Sequence, residues 1–266
     1  MLKRIVLSIG LLTASVLAAQ TVVIIGSSTA AGVGATNYDS SFAGRYGRYL
    51  TTLKPAWTLV NLAKGGFTTY ECMPSGFKQP ANRPAPDTAR NISKVLALHP
   101  QVLLICLPSN DVANNYAPAE YNANYDSLRA WATNAGIKTW ITTPGARNMP
   151  DTTRQKRLVA LKNRMLSEYA PKVVSFFDSI ANADGTYNPY YGAGDGIHAN
   201  DRGHLLMYKR VVAANLTEIV TTYAISSGSF KIKALHPLIP GIVHGSLLFG
   251  RSGTAGSFDA QGRLRY

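Results

Sequence analysis

Acidic residues are scarce in this chain. Its 266 residues hold 14 Asp and Glu against 27 Lys and Arg, a formal net charge of +13. Such an excess raises the question of nucleic acid, yet the basic residues are scattered and no more than two stand side by side. No motif of interleaved aromatic and basic residues accompanies them. A specific nucleic-acid partner is therefore not expected, and attraction to anionic surfaces or polymers is. Cysteine is scarcer still, with only Cys72 and Cys106. Two so far apart, without a His cluster nearby, make no zinc site. Export permits a bond between them, but Cys106 lies in an apolar stretch where a free buried thiol is the expectation. Long apolar runs are missing except at the start, where Lys3 and Arg4 precede a run from Ile5 to Leu17 that ends on Ala18-Ala19. That run is short for a membrane span of ~20 residues and closes on small residues, as a cleaved export signal does. Residues 1–19 are thus read as a signal peptide, which predicts a secreted or periplasmic protein with no transmembrane span after cleavage.

What is present is a regular alternation. The 46% apolar and 15% charged contents are globular values, and the length is ample to bury a core. Thr21–Ile25, Trp57–Leu62, Val102–Leu107, Ile137–Thr142 and Val173–Phe177 read as strands. Ser41–Leu53, Asp87–Leu98, Tyr121–Asn134, Thr152–Tyr169 and Asp201–Leu216 read as helices, with Asp87 and Thr88 as caps of the second. Gly65–Pro86, with four prolines, reads as irregular. Five strands alternating with helices predict an α/β fold: a three-layer α/β/α sandwich on a five-stranded parallel sheet of flavodoxin-like type. The domain itself is expected over residues 20–224. Residues 225–266 break the alternation and form a C-terminal tail, open to reading as a β-rich appendage, a linker or part of a sorting module.

Every chemically suggestive segment falls where a predicted strand ends, the edge at which open parallel sheets place their sites. Gly26-Ser27-Ser28-Thr29 follows the first strand, Asn61–Gly66 the second, and Ser109-Asn110-Asp111 the third. Asp195-Gly196-Ile197-His198 lies on a Gly-rich loop after the fifth. An Asp three residues before a His can hold one imidazole nitrogen and leave the other facing outward, which is what a serine nucleophile needs in its base. A Gly at a loop apex lets its N–H approach a substrate, and an Asn can donate a side-chain N–H. Alone, each of the first three segments is unspecific, and the first is more often just a turn with a capping hydroxyl; together they point to an acyl hydrolase. His99, His204, His236 and His244 have packing, capping or surface readings.

In these four segments, in this order, the chain resembles the SGNH hydrolases, the GDSL-like esterase and lipase superfamily. The resemblance covers about residues 21–218 and is most specific at Asp195–His198, which continues as Ala199-Asn200-Asp201-Arg202-Gly203-His204. Two departures stand out: Ser27 where the family usually has Asp, and Pro108 where a Gly often precedes the Asn block. The resemblance implies Ser28 as nucleophile, His198 as base and Asp195 as its orienter. It implies an oxyanion hole from the amides of Ser28 and Gly66 and the side chain of Asn110, with no metal and no cofactor. Phe67 and Tyr70, on the long loop, and Tyr190 and Tyr191, before the Asp-His loop, are expected to meet substrate. The expected activity is hydrolysis of O-acyl esters, with deacetylation of carbohydrate foremost. Lipid or lysophospholipid deacylation and acyl transfer are the alternatives within the class, and a non-catalytic glycan- or surface-binding protein is the alternative outside it. Oligomeric state is not legible.

Overall fold

The computed structural model describes residues 20–53, 55–107, 109–218, 257–258 and 264–265. The β-branched run near the start forms β1 (Gln20–Gly26), whose side chains alternate between two apolar clusters. Val22 and Ile24 pack with Phe42, Tyr46, Met207 and Val211, whereas Val23 and Ile25 pack with Ile92, Val95, Leu128 and Met165. A strand covered on both faces has no side to spare for polar residues, hence the continuous apolar run.

Four more strands join it: β2 (Trp57–Asn61), β3 (Val102–Cys106), β4 (Lys138–Thr142) and β5 (Val173–Val174). They pair in the order β2-β1-β3-β4-β5, all parallel. Helices α2 (Phe42–Thr52) and α8 (Asp201–Ala213) supply the first cluster, and α4 (Ile92–Ala97), α6 (Pro118–Asn134) and α7 (Thr152–Glu168) the second. The result is the expected three-layer α/β/α sandwich. Strand order reverses at β1, so the chain leaving β1 and the chain leaving β3 turn to opposite faces and open a crevice between them.

Elsewhere the element boundaries depart from the sequence pattern for local reasons. Helix α4 begins at Ile92, not Asp87, because Asn91 caps it by accepting from Lys94 N at 3.1 Å. Asp87 serves an earlier turn, accepting from Ala89 N at 3.0 Å. The Gly65–Pro86 stretch contains a helical turn, α3 (Thr69–Cys72), started by a capping box of Thr68 and Glu71. Strand β5 stops after two residues because Phe176 N donates to the Thr143 side chain at 2.8 Å instead of continuing the ladder. Two further single turns, α1 (Ser28–Ala31) and α5 (Asn110–Ala113), start at the sheet edge.

Cys72 and Cys106 are both free and buried. Among the described residues no helix is long and apolar enough to cross a membrane. A separate unit holds β6 (Ser257–Phe258) and β7 (Leu264–Arg265), paired antiparallel. The signal-peptide reading of residues 1–19, most of the tail and Pro108 lie outside the described residues.

Candidate active site

Where β1 ends, Gly26 is forced by proximity: a Cβ there would sit 2.2 Å from the Cys106 carbonyl oxygen. Ser27 extends the ladder, its N–H donating to Cys106 O at 3.1 Å, and its side chain is wholly buried with no partner for the hydroxyl among the described residues. Ser28 opens α1 and is partly exposed, with no hydrogen bond to its hydroxyl among the described residues. The two adjacent serines are thus separated by direction, one into the core and one toward the crevice.

The turn after β2 is tied beneath Ser28. Asn61 Nδ2 donates to Ala30 O at 2.8 Å, and Lys64 N donates to Gly26 O at 3.1 Å. A Cβ on Gly65 would lie 3.9 Å from Ser28 Cβ, so the Gly65-Gly66 turn runs beside that side chain. Gly66 takes φ +84°, and none of the described residues lies within 4 Å of where its Cβ would be. Glycine adopts that backbone freely, and the empty space leaves room for a substrate atom.

Asn110 is the first residue of α5, and both ends of its amide are fixed. Nδ2 donates to Phe67 O at 2.8 Å, and Oδ1 accepts from Arg147 Nη1 at 2.8 Å. Next to it Asp111 is buried and accepts from Thr69 N at 3.1 Å and Thr69 Oγ1 at 2.6 Å. Burial pushes its carboxyl up to about 7, although the Thr69 bonds oppose the shift.

The loop before α8 carries the imidazole. Asp195 Oδ1 accepts from the amides of Ile197 and His198, each at 2.8 Å, and Oδ2 meets His198 Nδ1 at 2.6 Å. Burial acts to raise this carboxyl, but the ring and the two amides outweigh it and hold Asp195 at about 2. An ionised carboxylate can only accept, so in the neutral ring the proton sits on Nδ1 and the lone pair on Nε2. Nε2 has no partner among the described residues. Asn200 stiffens the loop from behind: Oδ1 caps α8, and Nδ2 donates to Tyr190 O and Gly192 O at 3.0 and 2.9 Å.

Residues from the two ends of the fold meet through three ties. Asp201 accepts from Thr36 N and Oγ1 at 2.8 and 2.7 Å. His204, fully buried, accepts from Phe42 N through Nδ1 and lies 3.1 Å from Val33 O through Nε2. Gly34 passes so close that its Cβ would fall 2.2 Å from Ala199 O and 2.8 Å from His198 Cβ. Gly34→Ala, at φ +93°, is therefore expected to lower kcat on a small ester roughly 10- to 100-fold by shifting the His198 loop. An unchanged kcat would show that this contact does not place the imidazole.

A carboxylate-held imidazole, an unbonded serine hydroxyl at the start of a helical turn and an anchored carboxamide at one sheet edge are the parts of acyl transfer. A family model described as GDSL-like Lipase/Acylhydrolase matches residues 24–206 of the chain. The protein belongs to this family. It is a GDSL-type ester hydrolase, and the matched residues run from β1 into α8, from the serine turn through the Asp-His loop. Comparison with curated proteins finds no match. Solved structures show the same GDSL hydrolase fold. A catalytic mutant of an acetylxylan esterase from Geobacillus stearothermophilus aligns at TM-score 0.55 and 18% identity, over 73% of this chain and 93% of that one. A psychrotrophic esterase from Pseudoalteromonas sp. aligns at 0.53 and 15%, over 73% and 96%. A GDSL-like lipase from Bacteroides thetaiotaomicron aligns at 0.54 and 18%, over 73% and 87%.

In this GDSL hydrolase all five residues expected at the centre, Ser28, Gly66, Asn110, Asp195 and His198, lie on loops or turns that follow strands at one sheet edge. The aromatic residues divide. Phe67 and Tyr70 are buried in the second apolar cluster, and the Tyr70 hydroxyl is spent on Glu120 at 2.7 Å. Tyr190 is 57% exposed, with Tyr191 edge-on to it at 4.9 Å and the Arg202 guanidinium 4.6 Å above its ring. Sequence reasoning missed Arg147, which stands on an unpatterned stretch after β4; its one signal was that it follows a strand end at the same edge.

Proposed function

We propose that this protein is an exported serine esterase that removes short acyl groups, acetyl above all, from carbohydrate. Ser28 Oγ attacks the ester carbonyl while His198 Nε2 takes its proton, and the imidazolium then returns that proton to the departing alcohol. Water attacks the acyl-enzyme in the second half, with the same imidazole as base. Asp195 keeps the imidazole in the tautomer that leaves Nε2 basic. The amides of Ser28 and Gly66 and Asn110 Nδ2 receive the oxyanion. The observation that carries this reading is the 2.6 Å Asp195–His198 contact on a loop packed against the chain that follows Ser28.

Preference for a short acyl group and a sugar rests on the surface. Among the described residues only Val33, Tyr38 and Tyr190 are large apolar side chains left exposed. They offer no broad apolar surface for a long acyl chain. Tyr190, beside the Asp-His loop and under Arg202, presents an aromatic face of the kind that stacks on a sugar ring. One of the structural neighbours is an acetylxylan esterase, which accords with this choice. Initial rates on acetyl, butyryl and octanoyl nitrophenyl esters are expected to fall in that order, with acetate released from acetylated xylan. A preference for octanoyl, with no acetate released from the polymer, would replace the carbohydrate reading by lipid deacylation.

A further inference from the structure

We propose that Arg147 is a positioning residue of the oxyanion hole, acting through the side-chain amide of Asn110. This rests on the proposed role of Asn110 as an oxyanion donor. A carboxamide can turn over, exchanging its oxygen for its nitrogen with little change of shape. In one orientation Asn110 presents an N–H to the oxyanion and in the other a repelling lone pair. Two contacts choose between them: Phe67 O accepts from Nδ2, and Arg147 Nη1 donates to Oδ1, each at 2.8 Å. With one Nδ2 hydrogen on Phe67 O, the second remains for the substrate.

The donor on Oδ1 is a cation, and this adds a second effect. A charged donor on the amide oxygen draws electron density from the nitrogen, so the remaining N–H becomes a stronger donor. The main chain around Arg147 is itself held. Arg147 N donates to Gly185 O at 3.0 Å and Gln155 Nε2 to Arg147 O at 3.1 Å, while Asn148 N donates to Gly196 O at 2.8 Å. Gly196 lies inside the Asp195–His198 turn, and a Cβ there would strike Asn148 Nδ2 at 2.7 Å. The loop from β4 to α7 therefore touches both halves of the site, with Arg147 on the carboxamide and Asn148 against the imidazole turn. Apart from Asn110, the guanidinium bonds only Ser109 Oγ, at 3.4 Å, among the described residues. Its hydrogen bonds go to the loop that carries the carboxamide, and its charge is also felt by Asp195.

A kinetic cycle on 4-nitrophenyl acetate, a neutral substrate, tests this. Asn110→Ala is expected to lower kcat roughly 10²- to 10³-fold. Arg147→Met is expected to lower kcat about 10- to 100-fold with KM within about twofold, since the oxyanion exists only beyond the ground state. The double variant should be no slower than Asn110→Ala alone, because the carboxamide through which Arg147 is proposed to act is gone. Arg147→Lys keeps a charged donor and should recover several-fold of the loss; it also completes the cycle if Arg147→Met fails to fold. Losses that multiply in the double variant would overturn the proposal, placing the effect of Arg147 outside Asn110. A raised KM with kcat unchanged would overturn it too, making Arg147 a substrate-binding group. If Asn110→Ala itself is as fast as the unaltered protein, the oxyanion role of Asn110 falls and the proposal falls with it.

Discussion

Replacing Ser28 by Ala is expected to lower kcat on 4-nitrophenyl acetate by at least ~10³-fold, while thermal unfolding stays within a few degrees of the unaltered protein. Both halves of that expectation come from where the hydroxyl stands. Ser28 is partly exposed, and its hydroxyl makes no hydrogen bond among the described residues, so its loss leaves no partner stranded. The neighbouring serine supplies the comparison. Ser27 is wholly buried with a hydroxyl that bonds to none of the described residues, so Ser27→Ala removes a desolvated group and should be neutral for activity and for stability. A dead Ser27→Ala beside an active Ser28→Ala would show that the nucleophile has been assigned to the wrong residue.

Asp195→Asn is expected to cost about 10³- to 10⁴-fold in kcat, because it inverts the imidazole without dismantling the loop. The two oxygens of Asp195 have separate tasks. Oδ1 gathers the amides of Ile197 and His198, and a carboxamide oxygen can still do that. Oδ2 faces His198 Nδ1 at 2.6 Å, and there the carboxamide offers N–H. The ring must then accept at Nδ1 and carry its proton on Nε2, where it cannot take one from a serine. Nitrogen-15 NMR of labelled histidine would show the proton moved between the ring nitrogens in the variant. A loss below about tenfold would mean that Asp195 serves only to build the turn. Since the Asp195 carboxyl is held at about 2, mild acid leaves it ionised, and a fall of activity in that range has to originate elsewhere.

Legibility in the sequence followed the reach of the forces involved. The strands at the sheet centre were plain because β1 and β3 are apolar on both faces. Helix α2 was plain because Phe42, Tyr46 and Leu50 recur on one side. The Asp-His loop was readable because the bonds from Asp195 span only two or three residues. Illegible features depended on partners far along the chain. Asp87 looked like a cap for α4, yet its N–H is taken by Glu71 O and Asn91 starts the helix instead. Phe67 and Tyr70 looked like substrate aromatics; their side chains instead turn into the core, and Glu120 takes the Tyr70 hydroxyl. Arg147 carries no local pattern at all, because what gives it meaning is Asn110, a neighbour only in space.

The pieces of the site are dealt out along nearly the whole described fold, and this bears on how the protein comes into being. A chain growing from its N-terminus carries Ser28 early, yet the imidazole and its carboxylate arrive only with the segment before α8. Its first strand waits as well, since β1 has both edges filled only after β3 is made. Pairings this distant are the slow ones in folding, as loop closure has to be met before contacts compensate it. During synthesis or refolding, ester cleavage is thus expected to appear late, after most of the sheet has formed. Under the proposed mechanism, a chain interrupted anywhere before residue 198 would lack its base and be silent rather than weakly active.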